Sequence, residues 1–173
     1  MTQDPDITPD DRDWTYVIHD GCRECGFVPQ NPETTGDRLR AAIPLWREAL
    51  ADESAMRRPG PGVWSAAEYG CHVRDASRIF RERLELMLTV DDPVFANWDQ
   101  DATAMDEGYA RQHPDVVATE LEEQLSRTAA AFDAVAPEQW TRPGRRSNGS
   151  AFTVATFAVY FLHDIEHHVH DVT

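Results

Sequence analysis

An all-α fold, a four-helix bundle with a short N-terminal extension, is what this sequence predicts. Three observations carry the prediction. Four stretches of about 18–25 residues repeat apolar side chains at three- and four-residue spacing, the period of one helix face. No stretch shows the apolar–polar alternation of a half-buried strand. Loops rich in Pro, Gly or acidic residues separate the four, as in bundles that join amphipathic helices.

The elements follow in order. Residues 1–13, MTQDPDITPDDRD, are acidic and polar, so no regular structure is expected there. Next is a knob, DWTYVIHDGCRECGFVPQNPE, with aromatics, a Cys-x-x-Cys and a turn-rich exit. Residues 1–33 are assigned to this extension and 34–173 to the bundle. The first helix is TTGDRLRAAIPLWREALADE, with Leu39, Ile43, Trp46 and Leu50 on one stripe. Pro44 lies inside it and is expected to kink or divide it. Ser65 and Glu68 form a capping box that opens the second helix, SAAEYGCHVRDASRIFRERLELMLT. Tyr69, Val73, Ala76, Phe80, Leu84 and Met87 form its stripe. The acidic, aromatic segment VDDPVFANWDQDATAMDEGYARQH reads as a long loop with short helices at its ends, and loops of that length usually do something. Pro114 suits the first turn of the third helix, where Val117, Leu121, Leu125 and Ala129 repeat every four residues. After the loop APEQWTRPGRRSNGSAF, the last helix runs from about Phe152 to near the end of the sequence.

The bulk numbers narrow the function. A chain of 173 residues reads as one domain with its own core. Its hydrophobic content is 41% and its mean hydropathy −0.55, values of a soluble protein. Thirty-one acidic against 16 basic residues give a net charge of −15, which repels phosphate backbones and argues against nucleic acid as a partner. Every basic side chain other than histidine is Arg, so neither a Lys Schiff base nor a P-loop is available. The polar start is neither a secretory signal nor a transit peptide, and no apolar run approaches the ~18 residues of a membrane span. The expectation is a cytoplasmic protein with no membrane partner. Cys22, Cys25 and Cys71 are too few, and odd in number, for a disulfide framework.

The chemistry concentrates in FLHDIEHHVHDV at residues 161–172. His163 and His167 are four apart on a helix, a spacing that lets two imidazoles share one metal. His170 continues that stripe, whereas His168 is turned away from it by about 100°. A third ligand is available in His72, halfway along the second helix and close to its buried stripe. Joining helices two and four through one ion would satisfy all three rings, and three protein ligands leave a position open for chemistry. The run also permits an Asp164–His168 pairing shifted by one residue. Asp75 and Asp164 are candidates to accept the second ring N–H of a ligand.

A His in WSAAEYGCHVRD followed by the HxxxH of FLHDIEHHVHD resembles the DinB-like superfamily, over roughly residues 35–172. The resemblance implies a bundle, often dimeric, with a three-histidine site for a divalent metal at His72, His163 and His167. Zinc is the expected ion, with nickel and manganese as alternatives. Its better-understood members are thiol-dependent transferases and isomerases, in which the metal turns a low-molecular-weight thiol into a thiolate. Mycothiol, bacillithiol and glutathione are the candidates. The Arg-only basic set, a mark of GC-rich genomes, points to mycothiol. The alternative is a non-enzymatic metal- or small-molecule-binding stress protein in which the ion is structural.

Three further features complete the reading. CRECG resembles half of a zinc ribbon whose second half the chain lacks, with His19 or a second copy as a source of more ligands; a redox pair and two free thiols in a small tucked loop are the other readings, and the motif is expected to stand apart from the bundle's metal chemistry. Arg142, Arg145 and Arg146 form a basic cluster suited to an anionic group of a thiol or substrate, as do Arg57 and Arg58. Trp98, Asp99 and Asp101 could wall a pocket, Tyr160 could donate a hydrogen bond near the metal, and Cys71 reads as a small core residue.

Overall fold

The computed structural model describes residues 6–10 and 12–173. After a 3-10 turn at Trp14–Tyr16 come α1 (Val17–Asp20), α2 (Thr35–Ala51), α3 (Ala66–Thr89), β1 (Val94–Phe95) and α4 (Gln100–Asp106). Then follow α5 (Pro114–Asp133), β2 (Pro143–Arg146), β3 (Ala151–Thr153) and α6 (Val154–Val172). The four long helices are the ones the periodicity predicts. At the polar start, Ile7 and Thr8 run beside Gly62, with the Thr8 amide donating to the Gly62 carbonyl at 3.1 Å; residues 1–5 and 11 of that stretch lie outside the described residues. Among the described residues, no helix is long and apolar enough to cross a membrane.

The sequence explains where these helices begin. At α3 the Ser65 Oγ accepts from the Glu68 amide and the Glu68 carboxylate accepts from the Ser65 amide, closing the capping box. Pro114 occupies the first turn of α5, where its missing N–H costs nothing. Thr153 caps α6 by accepting from the Thr156 amide. Pro44 leaves α2 undivided. The proline is exposed, so the carbonyl it leaves without a partner faces water.

α2 and α3 each pack against both α5 and α6, and touch each other less. α2 and α3, consecutive in the chain, therefore lie across the bundle from each other, whereas α3 and α5 lie side by side. Leu39, Trp46, Val73, Leu84, Leu121 and Leu125 of the predicted stripes are buried, with Ile43 and Tyr69 half-buried, and Phe132, Phe157, Phe161 and Ile165 complete the core; each fully buried side chain is worth about 1.5–3 kcal/mol in transfer alone. Phe80 stacks on Phe157 and Phe161, with ring centroids at 4.9 and 4.8 Å, and joins α3 to α6.

A small sheet departs from the all-helical expectation. β1 pairs in parallel with β2, and β2 antiparallel with β3, so the loop around Arg145 and Arg146 is a hairpin and α6 starts at Val154 rather than Phe152. Gly144 presses this sheet onto α3: a Cβ there would lie 2.8 Å from Met87 Cγ and from Phe95 Cζ. The early part of the long acidic segment supplies β1, and its middle, expected to be loop, supplies α4.

Candidate metal centre

Successive residues on a helix are turned by about 100°, while residues four apart stack on one stripe. His163 and His167 share one stripe of α6, and Asp164 and His168 share the next. α6 packs against α3 on one side and against α1 and α2 on the other, so the two stripes meet different neighbours.

The Asp164 stripe faces α3. His72, Asp164 and His168 each offer a ligand atom within 4.8 Å of the others. His72 Nε2 lies 3.5 Å from Asp164 Oδ2, and His168 Nε2 lies 3.5 Å from Asp164 Oδ1. Those separations are long for hydrogen bonds, and about what two ligands ~2.1 Å from one tetrahedral ion keep between them. His72 is 1% exposed, yet among the described residues neither of its ring nitrogens has a hydrogen-bond partner. A buried polar group left so costs about 1–3 kcal/mol. Its ring lies parallel to Trp98 at 5.4 Å and meets the His168 ring edge-on at 4.8 Å. Trp98 is fixed in turn by its indole N–H donating to Thr103 Oγ1 at 2.8 Å.

Asp171 orients His168, with Nδ1 and Oδ2 2.9 Å apart. With Nδ1 as the donor, Nε2 is left to face Asp164. Burial lowers the His168 pKa, but the Asp164 carboxylate beside it and the bond to Asp171 outweigh it and hold the ring up to about 9. Burial likewise raises Asp164, and its pairing with the His168 and His72 rings overcomes it, keeping this carboxylate well below its usual range.

The His163 stripe faces the N-terminal segment. Here Cys22, Cys25, His163 and His167 bring their ligand atoms within 4.8 Å of one another. Burial, and then the charge of His167, pushes the His163 pKa down to about 4. Burial pushes the Cys25 thiol up to about 11, against a backbone hydrogen bond from Phe27.

The three histidines inferred from the sequence are thus divided. His163 and His167 come together, but with two cysteines; His72 meets the shifted pair, Asp164 and His168. The Cys-x-x-Cys knob, expected to stand apart, packs on α6 instead. Buried Val17, Cys22 and Phe27 join the core and carry it there. His19 and His170 are exposed and belong to neither group. Asp75 serves no histidine; it accepts from Tyr109 Oη at 2.5 Å and pairs with Arg74.

A cleft of about 580 Å³ opens over the His72 group, with Trp98, Tyr160, Arg83 and Arg146 among its walls. Of the predicted arginine cluster, only Arg146 lines it. Arg142 caps the end of α3, donating to the carbonyls of Met87 at 2.5 Å and Val90 at 3.0 Å, and Arg145 pairs with Asp92. Arg58 pairs with Glu68. Arg146 lies over Tyr160 at 4.7 Å, so the tyrosine also lines the cleft. Arg83 escaped the sequence reading. It is 8% exposed, and burial and then the Arg146 charge lower its pKa to about 10. The available signal was an Arg three residues after Phe80 and four before Met87, inside the apolar stripe. Among the described residues, neither Arg83 nor Arg146 is in an ion pair.

A bundle of this connectivity with clustered metal-ligating side chains is the class that fold and site define. The sequence model of the DinB superfamily matches residues 35–172, and the chain belongs to that superfamily. No curated protein sequence matches the chain. Among solved structures, it is similar to YfiT from Bacillus subtilis, described as a probable metal-dependent hydrolase with an unusual four-helix bundle topology. The TM-score is 0.71 over 80% of this chain and 82% of that one, at 19% identity, a likeness of fold.

Proposed function

We propose that this chain is a divalent-metal-dependent enzyme acting on an anionic small molecule, with His72, Asp164 and His168 as the metal ligands. The observation that carries the reading is His72, buried without a hydrogen-bond partner and turned with Asp164 and His168 toward a cleft. Two imidazoles and a carboxylate suit a divalent ion such as zinc, nickel or manganese and leave coordination positions open. A divalent ion in such a site lowers the pKa of a bound water or thiol and so supplies a nucleophile near neutral pH. The description of YfiT as a probable metal-dependent hydrolase supports water in that role, and the resemblance to thiol-dependent transferases supports a low-molecular-weight thiol.

The chain's own groups do the rest. Asp171 holds the His168 ring by its Nδ1. Trp98 covers one face of His72 and keeps water from it. Arg83 and Arg146 add two positive charges to the cleft of a strongly acidic chain, and orient a carboxylate or phosphate of the substrate.

The test is reconstitution. Chelated protein is reloaded with zinc, nickel or manganese and assayed against two panels: thiol transfer from glutathione, bacillithiol or mycothiol to an electrophile, and hydrolysis of carboxylate-bearing esters and amides. Metal-dependent turnover in either panel, lost by about 100-fold or more in His72→Ala, is expected. No metal-dependent turnover in either panel, with the ion firmly bound, would replace the enzyme by a metal-binding protein.

A further inference from the structure

We infer that Cys22, Cys25, His163 and His167 form a second metal centre, a structural zinc site that pins the N-terminal segment to α6. It is separate from the His72 group and uses none of its ligands. Two thiols and two imidazoles, with ligand atoms within 4.8 Å of one another, supply four donors, and four protein donors leave nothing open for substrate. The Cys22 Sγ to His167 Nδ1 distance is 3.7 Å, close to the ~3.6 Å between a sulfur and a nitrogen on one tetrahedral zinc. His163 is 4% exposed, and among the described residues its Nε2 has no hydrogen-bond partner. Simple packing of two thiols would leave that nitrogen unsatisfied; a shared ion would not.

The local chain is shaped for the task. Gly21 at φ 70° and Gly26 at φ 76° bracket the motif in the left-handed region. The Gly26 amide donates to the Cys22 carbonyl and the Cys22 amide to the Phe27 carbonyl, both at 2.9 Å, so both thiols sit on one closed turn. A Cβ on Gly21 would lie 2.5 Å from the Phe27 carbonyl oxygen. Trp14 and Phe27 pack on the two histidines, and Arg38 grips Glu166 of α6 with two 2.7 Å bonds while lying over Phe27. All three cysteines are free.

Binding releases the two thiol protons to solvent, and the histidines bind as neutral rings. Two thiolates then cancel the charge of one Zn2+. A neutral centre is one that a buried site can hold at little desolvation cost. Sulfur and imidazole donors in tetrahedral number select zinc over manganese or magnesium. The consequence reaches the cleft: Arg12, Trp14 and Glu24, from the pinned segment, form part of its wall.

The experiment uses the full, untagged chain exchanged with cobalt(II). A thiolate-to-cobalt charge-transfer band with intense tetrahedral d–d absorption is expected. Metal analysis should find about two ions per chain, about one if the His72 group is empty, so the two assignments fail separately. His72→Ala should keep the band, and Cys22→Ser/Cys25→Ser should lose the band and about one ion. Thiol titration of the native wild type serves where that double variant does not fold: zinc should protect Cys22 and Cys25, and a chelator should expose them. Absence of the band, or equal reactivity of both thiols with and without zinc, overturns the site. So does a folded double variant that keeps both ions.

Discussion

Replacing Glu68 by Gln removes one charge from the hinge on which α3 starts, one turn before His72. The carboxylate is 3% exposed. It accepts from the Ser65 amide at 2.8 Å and from Arg58 Nε at 3.0 Å and Nη2 at 2.5 Å. Gln keeps the shape and one carbonyl acceptor, but sets an NH2 where Arg58 also donates. Charge-assisted bonds are worth about 1.5–3 kcal/mol, and the Arg58 side chain is 26% exposed, so screening trims the upper end. The loss should be about 2 kcal/mol, or about 4–8 °C in Tm for a chain of this size. Burial opposes ionisation of Glu68, but Arg58 and the Ser65 amide outweigh it and hold its pKa below 4.5. A carboxyl depressed in the folded state contributes stability that is full above its unfolded pKa and fades as pH falls through the folded value. The gap between wild type and Glu68→Gln should therefore hold from pH 7 to about 5 and close below about 4.5. Urea unfolding of both proteins across that range, with equal m-values, measures it. A gap that stays constant at low pH would refute the charge-based reasoning and leave only a change of shape.

Two other substitutions probe packing and the cleft. Gly144→Ala should cost about 1–3 kcal/mol in urea unfolding, since its Cβ would meet the buried Met87 and Phe95 at 2.8 Å; wild-type stability would mean the sheet can lift off α3. Arg146→Ala should raise KM for carboxylate-bearing substrates by about tenfold or more, and leave uncharged analogues and the bound ion unchanged. An equal change for both substrate kinds would remove Arg146 from anion recognition.

The long helices were legible because each shows one apolar stripe and a chemically marked start, such as Ser65 with Glu68 or Pro114. The hairpin was not, because Arg145 and Arg146 read as solvated loop; the Asn148–Gly149 pair ahead of Phe152 was its turn signal, with Gly149 at φ 95°. His72 was legible as a buried imidazole on an apolar face. The choice between His163/His167 and Asp164/His168 was not, because adjacent stripes of one helix have the same spacing. What separates them is packing: α6 presents one stripe to α3 and the other to the knob. Cys22 lies 145 residues before His167, and no local pattern joins residues that far apart.

Anomalous diffraction at the zinc edge, from crystals of the untagged zinc-loaded chain, tests the proposed catalytic centre most directly. A peak is expected about 2.0–2.2 Å from His72, Asp164 and His168, at the floor of the cleft beside Trp98. A peak bonded to His72 together with His163 and His167, or no peak near His72, would contradict it.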